Sequence, residues 1–262
     1  MPRSSHSSAS SAGAPLLLAQ LPFGGELVAR RYRFDNGLTL LSLPDRSTPL
    51  VSYHTWFRVG SRNELPGKTG LAHLFEHLMF GQTANLPHGE LDKRIESAGG
   101  ETNAATWTDW THYHTELPKE GLPLMVQIES ERMQNLILRA PQVSSEKEVV
   151  QNERRFRVDD DVEGAVSEKL CALAYKRHPY HHPTIGWMKD IESFTPDDCR
   201  AFFAQAALVA AVPAVNLLLL LAAGQLDGAG VHDDHMVSRV DVRRVGSLVL
   251  SLQKLGSQRR GA

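Results

Sequence analysis

Residues 70–80 read GLAHLFEHLMF, and no other stretch constrains the chain as tightly. A helix is expected from about Leu71 to Phe80, and among its Leu, Phe and Met residues His73, Glu76 and His77 stand on neighbouring turns. Positions i and i+4 share a helix face, so His73 and His77 can aim their imidazoles at one point. Zinc takes imidazole nitrogen at about 2.0–2.1 Å, and a catalytic zinc typically has three protein ligands and one water. Glu76 precedes the second histidine by one position, near enough to take a proton from that water without binding the metal. That is the chemistry of peptide hydrolysis.

Two histidines at helical spacing also occur as packed core or surface residues, so a third ligand has to be found. The chain has two cysteines, Cys171 and Cys199, too few for a disulfide framework or a cysteine-rich zinc site. Any metal must be held by histidine and carboxylate. The stretch SSEKEVVQNERRF offers Glu146 and Glu153, two helical turns apart and on one face. Either can supply a carboxylate; alternatively this is a solvated helix on which Lys147, Arg154 and Arg155 pair with the acids. His178, His181 and His182 in HPYHHP resemble a ligand cluster, but Pro179 and Pro183 make that segment a loop, and no metal is assigned there.

Along the chain, RRYRFDNGLTLLSLPD reads as two strands joined by a turn at Asp35-Asn36-Gly37. PLVSYHTWFRVGS reads as a third strand, and ETNAATWTDWTHYHTEL as two more extended runs. Helices are expected over Gly89 to Ala98, Pro123 to Leu138, Ser144 to Val158, Glu163 to Lys176 and Pro196 to Ala211. Strands in one group with long helices between them imply an α+β fold, a two-layer sandwich with helices on one face of a largely antiparallel sheet. Residues 1–28, Ser/Ala-rich at the start and without an acidic residue before Glu26, read as a disordered leader. A net charge of −2 gives no indication of nucleic acid or an anionic membrane as partner. The run AALVAAVPAVNLLLLLAAG is broken by Pro213 and Asn216, so a buried helix plus strand is expected there and no membrane span.

The order H-x-x-E-H is the inverzincin signature. Five collinear segments, DNGLTLLSLPD, VGSRNELPGKTGLAHLFEHLMFGQT, GGETNAATWTDWTHY, EKEVVQNE and HPYHHPTIGWMKDIESFT, resemble the pitrilysin-type zinc peptidases, the family of mitochondrial processing peptidase and insulin-degrading enzyme. The resemblance implies one zinc ion per chain on His73, His77 and Glu153, with Glu76 as general base. It gives Glu146 a supporting role, orienting a ligand or tuning charge. It also implies that ETNAATW is an edge strand holding an extended peptide through Asn103 and Ala104; a Thr-rich strand that merely packs is the alternative.

The resemblance covers about residues 31 to 203, a first α+β domain assigned to 29–205. Members of the family usually pair two such domains per half and two halves around the substrate, so a second peptidase half or homologous subunit is an expected partner beside the peptide. Residues 206–262 depart from the family pattern and are expected to be an altered or out-of-frame ending of a longer parent. Three functions follow: a zinc endopeptidase, a non-catalytic or partner-dependent zinc-binding subunit, and a fragment anchored by residues 206–223, against which Pro213 and the polar continuation count. The sequence names no compartment; a soluble protein of the bacterial cytoplasm or periplasm fits it.

Overall fold

The computed structural model describes residues 14–209 and 215–222. One sheet holds β1 (Leu16–Pro22), β2 (Val28–Arg33), β3 (Thr39–Asp45), β4 (Leu50–Phe57), β5 (Glu101–Thr106), β6 (Thr111–Pro118) and β7 (Val215–Ala222). Their spatial order is β1-β2-β3-β7-β4-β6-β5, which leaves β5 at one edge. All neighbours are antiparallel except β3 and β7. The helices are α1 (Leu71–Leu78), α2 (Glu90–Ser97), α3 (Leu122–Asn135), α4 (Ala140–Arg154), α5 (Val162–Ala174), α6 (Met188–Ser193) and α7 (Pro196–Val209).

Period-two burial sets the two faces of the sheet. Val51, Tyr53 and Thr55 on β4, with Tyr113, Thr115 and Leu117 on β6, are buried on the helix side. Their alternates Ser52, His54, Trp56, His112 and His114 are only half-buried. One core cluster joins Leu74, Phe75 and Leu78 of α1 to Val143 and Val150 of α4 and to Cys199 and Phe202 of α7. A second packs Leu91, Ile95, Met125 and Ile128 of α2 and α3 on Val51, Tyr53 and Leu117. This is the two-layer α+β sandwich expected from the sequence.

The Asp35-Asn36-Gly37 turn joins β2 to β3. Gly37 has φ 86°, and Asn36 Oδ1 accepts the Leu38 N–H at 2.9 Å, which explains both residue types. The helix expected to reach Val158 is α4 up to Arg154, followed by a π-helical turn over Arg155–Asp159.

The expected leader needs correcting over 16–22. Those residues form β1, paired antiparallel with β2, although Leu16, Leu17, Leu18 and Leu21 stay exposed. Backbone pairing with the edge of β2, and not burial, orders them. Residues 1–13 lie outside the described residues. The expected helix plus strand near residue 210 is realised as α7 and β7. Although β7 falls inside the segment read as divergent, it lies in the sheet between β3 and β4. The remainder of that segment, 210–214 and 223–262, lies outside the described residues. No described helix is long and apolar enough to cross a membrane.

Candidate metal centre

Helix α1 starts abruptly. Gly70 has φ 93°, and its flanking residues carry no side-chain cap. The carboxylate of Glu64, from the preceding loop, accepts the N–H of Gly70 at 2.9 Å and of Ala72 at 2.7 Å. These are orphan donors of the first turn, so Glu64 caps the helix from a distance. Burial is the dominant influence on Glu64 and, despite those donors, pushes its carboxyl up to about 8. A Cβ on Gly186 would lie 2.2 Å from the Thr69 carbonyl oxygen, so only glycine lets the 183–187 loop close on the start of α1.

Leu71, Ala72, Leu74, Phe75 and Leu78 turn into the core, leaving His73, Glu76 and His77 on the other side of α1, against α4. Glu153 Oε2 lies 3.5 Å from His73 Nε2 and 3.4 Å from His77 Nε2. The imidazoles meet edge to face, with ring centres 4.8 Å apart. Among the described residues, His73, His77 and Glu153 are the one set of three His, Cys, Asp or Glu residues whose ligand atoms all lie within 4.8 Å of one another. Tetrahedral zinc with bonds of about 2.0–2.1 Å separates its ligand atoms by about 3.4 Å. The two separations match, and two imidazoles with one carboxylate suit zinc, so the residues present fit the ion.

Glu146 also faces this group: its Oε2 is 3.6 Å from His77 Nδ1, the ring nitrogen turned away from Glu153. A carboxylate behind a metal-facing imidazole fixes its tautomer and ring orientation. Burial pulls the His77 pKa down, but Glu146 and Glu153 outweigh it and raise it to about 9. His73 is held down to about 4, first by burial. Arg157, from the π-helical turn, reaches back to Glu153 Oε1 at 3.0 Å, leaving Oε2 to the histidines.

Glu76 is half-buried, and burial raises its pKa. Its Oε2 accepts a hydrogen bond from the Thr106 hydroxyl at the end of β5. Asn103 and Ala104 lie on the same edge strand, and Asn103 Oδ1 accepts the Ala104 N–H at 2.8 Å. The 178–183 loop stands apart from the group; His182 is buried, with Nδ1 3.8 Å from Glu64 Oε2.

The structure thus gathers His73, Glu76, His77, Glu146 and Glu153, and adds Thr106, Glu64 and Arg157, which the sequence reading did not single out. Only Glu64 left a signal: a helix beginning after Gly70 without Ser, Thr, Asp or Asn at its cap needs an acceptor from elsewhere.

The chain is similar to the zinc protease PqqE of Helicobacter pylori, with 38% identity over 168 residues, 64% of this chain and 38% of that protein. It is also similar to the β subunit of the mitochondrial-processing peptidase of Lentinula edodes, with 28% identity over 64% of this chain and 36% of that one. The crystal structure of a protease from Helicobacter pylori superposes with a TM-score of 0.75 at 31% identity, covering 84% of this chain and 50% of that one. The chain therefore spans less than two-fifths of the length of both curated relatives. The family model described as insulinase, peptidase family M16, matches residues 40–187, more than half of the chain, and the chain belongs to that family.

Proposed function

We propose that this chain carries the catalytic part of a zinc-dependent endopeptidase that cuts extended peptides. His73, His77 and Glu153 hold one zinc ion, and Glu76 is the general base. The observation that carries this reading is the convergence of two imidazoles from α1 and one carboxylate from α4 beside the half-buried Glu76.

A zinc ion held there supplies Lewis acidity, polarising a carbonyl and making water acidic near neutral pH. Thr106 occupies Oε2 of Glu76, so Oε1 is free to take the proton from the attacking water and pass it to the leaving amine. Glu146 holds the His77 ring by its far nitrogen, and Arg157 turns Glu153. The peptide lies along the free edge of β5, where its backbone adds to the sheet beside Asn103 and Ala104.

The partner-dependent reading is supported by α5. Val162, Val166, Leu170 and Leu173 recur at helical spacing and are 60–80% exposed. A continuous apolar stripe of this kind marks a contact surface, and we assign it to a second peptidase half. In this reading the chain binds zinc alone and cleaves only with that half present.

The test is zinc content and cleavage of a quenched peptide by the chain and by Glu76→Gln. Zinc retained by both, with cleavage only in the unsubstituted chain, is expected. Cleavage unaffected by Glu76→Gln rules out the mechanism; zinc retained with no cleavage by either favours the partner-dependent subunit.

A further inference from the structure

Helix α5 packs on the rest of the chain with little apolar contact. None of its residues is buried, and the half-buried ones, Gly164, Glu168, Cys171 and Ala172, share one face. Glu168 is the one charged residue among those four. It receives Arg154, the last residue of α4 and the neighbour of Glu153. Arg154 Nη1 donates to Glu168 Oε2 at 2.8 Å, and Nη2 donates to Oε1 at 3.2 Å. Nη1 also donates to the Gly186 carbonyl at 2.8 Å, and Nη2 lies 3.3 Å from Asp159 Oδ1. Arg154 is only 5% exposed, so this forked pairing is shielded from water. One buried guanidinium thus joins the end of α4, α5, the π-helical turn and the loop that closes on the start of α1. We propose, on the reading that Glu153 is a zinc ligand, that Arg154 positions it: paired with Glu168, Arg154 makes the placement of the Glu153 carboxylate depend on the seating of α5.

A second contact works in the same direction. A Cβ on Gly164 would collide with the Arg157 carbonyl oxygen, so the first turn of α5 sits backbone to backbone on the π-helical turn. From that turn the Arg157 side chain reaches Glu153 Oε1. Neutralising Glu168 leaves the guanidinium of Arg154 with a neutral amide, one carbonyl and the exposed Asp159. A buried charge deprived of its partner is strongly unfavourable, so the last turn of α4 shifts to bring Arg154 towards water. Glu153 stands on that turn, with Oε2 3.4–3.5 Å from both Nε2 atoms. Ligand distances at a metal hold to within about 0.2 Å, so even a small shift weakens binding. Coupling of this kind is reciprocal: seating α5 tightens the metal, and metal held by Glu153 steadies α5. Val162, Val166, Leu170 and Leu173 lie on the opposite face of α5 from Glu168, so a partner covering them holds the helix in place without touching the pair.

Competition with chelators of graded strength measures zinc affinity in the full chain, in Glu168→Gln, in Glu153→Gln and in the double variant. Glu168→Gln is expected to weaken zinc binding about 10-fold, as loss of an outer partner does, and to change it by less than about twofold once Glu153 is already Gln. A loss of the same size in both backgrounds is a general defect of the fold and overturns the proposal, as does no loss in the single variant. Glu153→Gln without effect sinks the ligand assignment itself, and the proposal with it. Should Glu168→Gln fail to fold, amide hydrogen exchange in the native chain decides: added zinc is expected to slow exchange over 162–174 as well as in α1 and α4. Slowing confined to α1 and α4 overturns the coupling and leaves the ligand assignment standing; exchange unchanged in all three helices sinks both.

Discussion

The Thr106 hydroxyl donates a hydrogen bond to Oε2 of Glu76, tying the edge strand of the sheet to the helix that carries both candidate histidine ligands. Thr106→Val keeps the shape and removes the donor. Misplacing a reacting group by about 1 Å can cost about 10²-fold in rate. A fall in kcat of about 10- to 100-fold is expected, with zinc content and KM little changed. Steady-state kinetics with metal analysis checks this; full activity in the variant would show that Glu76 is positioned by something else.

Glu153 and Glu146 share a helix face but stand differently to the histidines: Glu153 faces two Nε2 atoms, while Glu146 faces only His77 Nδ1. Glu146→Gln is expected to weaken zinc binding by about 10- to 100-fold, the usual effect of losing an outer partner. Glu153→Gln should weaken it much further. Competition with a chelator measures both, and equal losses would reverse the assignment of ligand and support.

Stability should carry the signature of Glu64. Its carboxyl is raised from 4.5 to about 8, chiefly by burial. A raised carboxyl favours the folded state fully below pH 4.5, and that contribution is lost as pH rises through about 8. Glu64→Gln removes the titration, so the melting temperature of the native chain relative to the variant should decline across that window. Parallel curves from thermal melts over the same range would mean that Glu64 does not titrate there.

Gly186 has φ 86°, and its missing side chain leaves room for the Thr69 carbonyl. Gly186→Ala is expected to destabilise the fold by about 1–3 kcal/mol or more, through strain and the forced retreat of the loop. It should also loosen α1 and speed zinc release. Chemical denaturation and chelator kinetics test both effects; a variant as stable as the native chain would show that the loop yields freely.

The sequence made α1 and its candidate ligands legible because both histidines and Glu76 lie within five residues, where helical periodicity alone dictates geometry. Glu153 needed a long-range encounter between α1 and α4, which spacing left undecided between Glu146 and Glu153 and which the family resemblance assigned. Thr106 was invisible for a different reason: it acts through one hydrogen bond to a residue remote in sequence, and nothing in local pattern marks such a donor. The uncapped start of α1 at Gly70 announces the need for an acceptor, but not that Glu64 supplies it. The leader was misread because β1 exposes all four of its leucines and so lacks the alternation that identifies a half-buried strand. The apolar character of β7 was plain, but its place between β3 and β4 follows from pairings that no local window contains.

That last strand governs the order in which the molecule can be built. Because β7 separates β3 from β4, the amino-terminal hairpin has no partner on its inner side until residues 215–222 arrive. On the ribosome, every described helix and six of the seven described strands are made before the sheet can be joined. Such distant pairing makes for slow assembly, and the nascent chain must keep two unpaired strand edges from finding other partners while it waits.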